Sequence, residues 1–169
     1  LRYNHLKNRL RKEIEFTPRK RADIDGIFLA ASAQEARQIK PQLRFYYADS
    51  IPVNSTSHIF SVKTQPARDK DLEGIRFCDM PWVLERSTSP NALSFILSTA
   101  CPDKSARYSR FHALGADTVR LTPHLDWLKT HNNDWLAGFT GRLSINPEGT
   151  IVRGLKWAKF TNGSPTIIQ

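Results

Sequence analysis

Two short apolar runs flank a well-marked helix near the start of the chain, and that order leaves few folds open. The first run, Ile24-Asp25-Gly26-Ile27-Phe28-Leu29-Ala30, is too brief for a helix and suits a buried parallel strand. Ser32 follows, with Glu35 three residues later. This is the spacing of a capping box, in which each side chain satisfies a backbone N–H at the open helix end. Ala36, Ile39, Leu43 and Tyr46 keep the helical spacing, and Pro41 inside them predicts a kink or a division into two pieces. Ile51-Pro52-Val53 then reads as a second strand ending in Ser55-Thr56-Ser57-His58. Strand, helix, strand is one βαβ unit, so the fold class is α/β with an at least partly parallel sheet.

Ahead of this unit, Tyr3, Leu6, Leu10 and Ile14 recur at helical intervals, with basic residues between them and a stop at Thr17-Pro18. Behind it, Leu72-Glu73-Gly74-Ile75-Arg76-Phe77-Cys78 is another short strand, and Met80-Pro81-Trp82 opens a helical region. Its best segment carries Phe111, Leu114, Thr118, Leu121, Leu125 and Leu128, one apolar face weakened locally by Gly115 and Pro123. The tail changes period. Arg142-Leu143-Ser144-Ile145, a turn at Asn146-Pro147-Glu148-Gly149, and strand character from Ile151 to Phe160 predict a closing β-hairpin.

Charge is unevenly spread. Residues 1–21 hold eight basic residues against Glu13 and Glu15, a net +6 out of +9 for the whole chain. Such an arm suits nucleic acid, anionic lipid or an acidic protein face, or serves solubility alone. Only Tyr3 and Phe16 interleave it with aromatic rings, and its charges are spaced as a helix's outer face. That predicts weak, steeply salt-dependent contact with DNA and no sequence-specific nucleic-acid binding. Leu1 is not an initiator methionine and no signal-peptide pattern follows, so the expectation is a cut-out or processed piece. Cys78 and Cys101 suit either a single bridge or two buried free thiols.

Chemistry-bearing motifs are sparse. His5, His58, His112, His124 and His131 lack zinc-site spacing, so no metal is expected. The dinucleotide and phosphate-loop fingerprints and the serine-hydrolase elbow are absent, so no cofactor and no catalytic residue are assigned. Gly138-Phe139-Thr140-Gly141 precedes a hairpin and reads as a turn rather than an anion nest. Asp117 reads as a polar contact or an exposed residue rather than a general acid. One place has a physical claim to a ligand, because open α/β sheets bind small molecules beyond the carboxyl ends of their parallel strands. There Ser32, Thr56 and Ser57 offer hydroxyls and free N–H groups. Plain helix capping is the competing reading, and the favoured one.

Six strings carry a resemblance: Pro18-Arg19-Lys20-Arg21-Ala22-Asp23-Ile24-Asp25, Ile39-Lys40-Pro41-Gln42-Leu43-Arg44-Phe45-Tyr46, Ile51-Pro52-Val53-Asn54-Ser55-Thr56-Ser57-His58, Leu72-Glu73-Gly74-Ile75-Arg76-Phe77-Cys78-Asp79-Met80-Pro81-Trp82, Ala113-Leu114-Gly115-Ala116-Asp117 and Gly138-Phe139-Thr140-Gly141-Arg142-Leu143-Ser144-Ile145. In that order, and on to the tail Trp157-Ala158-Lys159-Phe160, the chain resembles the LppC/LpoA family. The resemblance implies an outer-membrane lipoprotein facing the periplasm that activates a class A bifunctional penicillin-binding protein by contact, without catalysis. It also implies part of a type I periplasmic-binding-protein-like module, with a C-terminal β-hairpin and a helical excursion. Residues 1–75 and 138–169 would form the second α/β lobe. Residues 76–137 would be a helical segment of the first lobe, whose strands lie upstream. The lipid-bearing cysteine, the helical-repeat N-terminal domain and the first part of the module are not in this sequence.

Two rival functions follow from the same residues. One is a small-ligand-binding periplasmic module, the other a nucleic-acid binder using the basic arm. A further expectation concerns the stripe Phe111, Leu114, Leu121, Leu125 and Leu128. With no upstream sheet to cover it, another chain or a neighbouring copy is expected to do so.

Overall fold

The computed structural model describes residues 2–11, 23–85, 92–101, 106–131 and 133–168. Helix α1 (Arg2–Leu10) ends at Arg11, which takes a left-handed φ of 47°. Its apolar face is not buried: Leu6 and Leu10 are both exposed. Ile14 and the stop at Thr17-Pro18 lie outside the described residues.

Strand β1 (Ile27–Leu29), helix α2 (Ala33–Phe45) and strand β2 (Val53–Ser55) form the expected βαβ unit, with β1 and β2 adjacent and parallel. The capping box is complete. Glu35 N donates to Ser32 Oγ at 3.4 Å, and Ser32 N donates to a Glu35 carboxylate oxygen at 2.8 Å. Helix α2 runs through Pro41 as one segment rather than two.

Beyond β2 come a 3₁₀ turn (Ser57–Ile59), helix α3 (Pro66–Asp69), a second 3₁₀ turn (Lys70–Leu72) and strand β3 (Arg76–Asp79), parallel to β2. Short helix α4 (Pro81–Leu84) and helix α5 (Leu93–Ala100) lead to α6 (Ser109–Leu121). A 3₁₀ turn at Thr122–His124, containing Pro123, separates α6 from α7 (Leu125–Thr130). The long helix read from the sequence is therefore two. Proline removes one N–H from the ladder and clashes with the preceding turn.

The tail also divides. Strands β4 (Leu136–Ala137), β5 (Arg142–Ile145) and β6 (Ile151–Gly154) make an antiparallel three-stranded sheet of their own. The hairpin expected from Arg142 to Phe160 is present only as far as Gly154, and it does not finish the parallel sheet. At Gly154-Leu155 the chain crosses over. Strand β7 (Lys156–Thr161) then joins the main sheet antiparallel to β3, and β8 (Ser164–Ile168) pairs with β7 at its edge. The main sheet thus has the order β1-β2-β3-β7-β8. The β7–β8 turn, Asn162-Gly163, has both residues at positive φ (53° and 71°), the requirement of a tight two-residue hairpin.

The main core lies on one face of this sheet. Val53, Phe77, Ala158 and Phe160 pack there with Ala36 of α2, with Ile59, Phe60, Leu72 and Ile75 of the connections, and with Trp82, Val83 and Ala113 of α4 and α6. Phe60, Phe77 and Phe160 form its aromatic centre, with ring centroids 5.1–6.3 Å apart. The opposite face carries Phe28, 71% exposed, Arg76, and Trp157, 48% exposed. β1 was read as a buried strand, so Phe28 is a correction: β1 is an edge strand with only one face packed. Strand β3 and helix α4 fall within the helical segment 76–137, yet they pair and pack with the main sheet, because Phe77, Trp82 and Val83 bury there.

A second, smaller core joins Leu121 and Leu128 to Leu143 and Ile145 of β5. This corrects the expectation for the apolar stripe. Leu121, Leu125 and Leu128 are covered by the chain's own hairpin, while Phe111 stays 69% exposed. Cys78, half-buried, and Cys101, exposed, are both free thiols. No helix among the described residues is long and apolar enough to cross a membrane.

Candidate functional site

The carboxyl ends of the three parallel strands come together where the main sheet meets α6. Leu29 is paired with Ser55 and Ser55 with Phe77, so Ser32, Thr56-Ser57 and Asp79-Met80 each follow the end of their strand. The hydroxyl of Ser55 donates to Leu29 O at 2.6 Å and ties the first two ends.

Ser32, Thr56 and Ser57 have different surroundings. The Ser32 hydroxyl is occupied by capping: it accepts from Glu35 N and donates to the Glu35 carboxylate at 2.7 Å. These bonds, the Ser32 backbone N–H first and its hydroxyl second, hold the Glu35 carboxyl below its ordinary value of 4.5. Thr56 precedes the 3₁₀ turn without a side-chain cap bond, and it is half-buried. Ser57 lends its carbonyl to Arg110 at 3.0 Å.

Arg110 on α6 organises this corner. Its Nε and Nη2 reach the two carboxylate oxygens of Asp79 at 3.1 and 2.5 Å, and Nη2 also donates to Ser57 O and Phe60 O, each at 3.0 Å. Asp79 is 1% exposed and also accepts from Met80 N at 2.8 Å. A planar guanidinium suits this geometry because its donors match a carboxylate fork and still reach carbonyls. A second buried pair, Arg37 with Asp69 at 2.7 Å, fastens α2 to α3.

Seven residues further along α6, Asp117 is buried at 3% exposure. Its Oδ1 accepts from Phe139 N at 2.7 Å, and its Oδ2 accepts from Thr140 N at 2.7 Å and from the Thr140 hydroxyl at 2.6 Å. The turn Gly138-Phe139-Thr140-Gly141 therefore does cradle an anion, and the anion is the chain's own aspartate. The sequence reading of this loop as a plain turn was incomplete. Gly138 makes the approach feasible, since a Cβ there would sit 2.7 Å from Asp117 Oδ2. Asp117 itself is a polar contact, one of the two roles read for it.

Between the two sheets lies an open groove of about 840 Å³. Its walls include Pro81 and Glu85 from the α4 region, Trp135 and Arg142 beside the small sheet, and Leu155 and Trp157 at the crossover. Arg142 stacks over the Trp135 ring at 4.7 Å, and Lys156 is ion-paired with Glu85. The strand-end serines and threonine are not among its lining residues. Sequence does not pair Asp79 with Arg110 or reveal this groove, because a lone Arg or Asp carries no signal of what it meets in three dimensions.

With this geometry in hand, likeness to known proteins can be placed. Residues 2–163 match the family described as "LppC putative lipoprotein". The penicillin-binding protein activator LpoA of Aliivibrio fischeri is 31% identical over 147 residues, which cover 86% of this chain and 24% of that protein. The LpoA C-domain of Haemophilus influenzae, described as a regulator of PBP1A, superposes with a TM-score of 0.68 at 17% identity, over 98% of this chain and 49% of that one. A "putative branched-chain amino acid ABC transporter" of Chromobacterium violaceum superposes with a TM-score of 0.55 at 27% identity, over 80% of this chain and 42% of that one. The chain spans about a quarter of the length of the LpoA relative.

Proposed function

The chain belongs to the LppC lipoprotein family, and from that membership we propose that it is part of a non-catalytic regulator of peptidoglycan synthesis, one that activates a class A penicillin-binding protein by protein–protein contact. The observation that carries this reading is the family match over residues 2–163, joined by an activator relative 31% identical over most of the chain. The buried polar groups fit it. The buried carboxylates of Asp79 and Asp117 are engaged by Arg110, by backbone N–H groups and by the Thr140 hydroxyl, which is the chemistry of a scaffold. Activation by contact needs only that the scaffold bind one conformational state of the synthase better than another and so shift its population.

The main sheet and α2 would belong to the second lobe of the module. Helices α5–α7 and the small sheet would face the first lobe, whose strands the missing N-terminal part of the module would supply. That part is a natural partner for the sheet face carrying Phe28 and Trp157, since parallel sheets are ordinarily covered on both sides. The parent protein would sit in the periplasm, held at the outer membrane by a lipid outside this chain.

The test uses the parent protein with a purified class A synthase. Its addition should raise the cross-linking rate, with no turnover by the activator alone. Unchanged synthesis with every class A synthase of its own organism would overturn the proposal.

A second reading, a small-ligand-binding module at the strand ends, is favoured by the likeness to the transporter protein. In it Thr56 and Ser57 are better placed than Ser32, whose hydroxyl is engaged. Replacing Thr56 with Ala should then weaken a measured affinity for an amino acid, and unchanged affinity would count against it.

A further inference from the structure

Helix α6 belongs to both cores. Its first turns are tied to the main sheet, where Ala113 is fully buried in the main core and Arg110 forks Asp79 at the end of β3. Arg110 also holds the carbonyls of Ser57 and Phe60 beyond the end of β2. Ser109 Oγ accepts from the indole N–H of Trp82 at 3.1 Å in the same corner. Its last turns are tied to the small sheet, where Leu121 packs on the core of β5. There Asp117 takes three donors from the β4–β5 turn.

The two attachments cross-link as well. Trp82 N donates to Phe139 O at 3.1 Å, and the Trp82 and Phe139 rings meet edge to face at 5.1 Å. Arg120 covers the Phe139 ring at 4.9 Å.

We propose that α6 is a strut locking the two sheets into one rigid body, with Arg110 and Asp117 as its positioning residues, so that the groove between the sheets receives a guest without hinge closure. Hinges work where a few loop residues absorb large φ/ψ changes. Here the β4–β5 turn has the N–H groups of Phe139 and Thr140 committed to a buried carboxylate. Rotating one sheet against the other would tear out either the Arg110 fork or the Asp117 cradle. Both end on buried carboxylates, Asp79 and Asp117, which would be left without these donors. The inference bears on either functional reading but rests on neither.

The test is a distance distribution between spin labels, carried on unnatural side chains because two free thiols are present. The labels stand at exposed Val152 on β6 and exposed Thr166 on β8, one per sheet. The wild-type chain should give a single narrow distribution. Arg110→Lys keeps the charge opposite Asp79 but loses the two-pronged fork on its carboxylate and the reach to the Ser57 and Phe60 carbonyls, and should at least double the width while melting stays cooperative. If that variant fails to fold, Thr140→Val, which removes one donor to Asp117, is read the same way. A broad or two-peaked wild type, or a folded variant as narrow as wild type, overturns the strut.

Discussion

Replacing Asp117 by Asn isolates the cradle without changing the size of the side chain. In the native arrangement two carboxylate oxygens share three donors: Phe139 N on Oδ1, and Thr140 N and Oγ1 on Oδ2. Asn has one oxygen. If it faces Thr140, it keeps two of the bonds but turns an NH₂ group toward the N–H of Phe139, two donors nose to nose. The loss of one charge-assisted bond is worth about 1.5–3 kcal/mol, and a stranded buried donor costs about 1–3 kcal/mol more. We expect a total near 3 kcal/mol, about a hundredfold in the unfolding equilibrium, and a melting temperature lower by about 6–12 °C for a chain of this size. Urea titration should show a lower midpoint with an unchanged slope. Native-state amide exchange should speed up first at Phe139 and Thr140. A destabilisation below about 0.5 kcal/mol, the range of an ordinary surface change, would refute the claim that this carboxylate organises the loop.

Three further outcomes follow from the packing. Phe77→Ala empties the centre of the Phe60–Phe77–Phe160 cluster and should cost about 3–5 kcal/mol in urea unfolding; a loss under about 1 kcal/mol would mean that the ring is not in the core. Gly163→Ala places a Cβ 2.2 Å from Pro66 O at a φ of 71°, and should destabilise by at least about 1–2 kcal/mol, with β8 amides exchanging faster; an unchanged melting temperature would contradict this. Glu35 should titrate below 4.5 by carboxyl NMR. Because its folded pKa is depressed, its support of α2 is present above the unfolded value and fades as pH falls through the folded one. In Ser32→Ala the titration should move back toward 4.5, and the lost cap should cost about 1 kcal/mol; a Glu35 titration that Ser32→Ala leaves in place would remove the capping box from the account.

Local chemistry made the first half of the fold legible. The capping box at Ser32 and Glu35 and the apolar runs beside it depend only on neighbours in sequence, so periodicity and spacing located α2 and its two strands. The hairpin turn at Asn146–Gly149 was legible for the same reason. Asn162-Gly163 carries an equally strong turn signal, and strand β8 follows it. The split at Gly154-Leu155 was beyond reach, because a change of sheet leaves the strand's own pattern intact. Ser32 is a cap, and the residues that shape the corner, Arg110, Asp79 and Asp117, reach partners 22 to 53 positions away. Such pairings exist only once the tertiary fold brings them together.

Asp79 at the end of β3 lies opposite Lys156 at the start of β7, in direct antiparallel register. Topologically, everything from residue 80 to residue 155 is the loop of one oversized hairpin. Loop-closure entropy grows only slowly, about 0.6 kcal/mol per doubling of length, so the roughly five doublings from a tight turn to this excursion cost the β3–β7 pairing about 3 kcal/mol, which the packing of the excursion on the main core offsets. The chain leaves and re-enters the sheet at a single point. An insertion of this kind can lengthen, shorten or exchange its contents while the register of the five strands stays the same. Its two entry points do little to fix its orientation; the sideways bonds from Arg110 to Asp79, Ser57 and Phe60 and the burial of Trp82 in the main core do that.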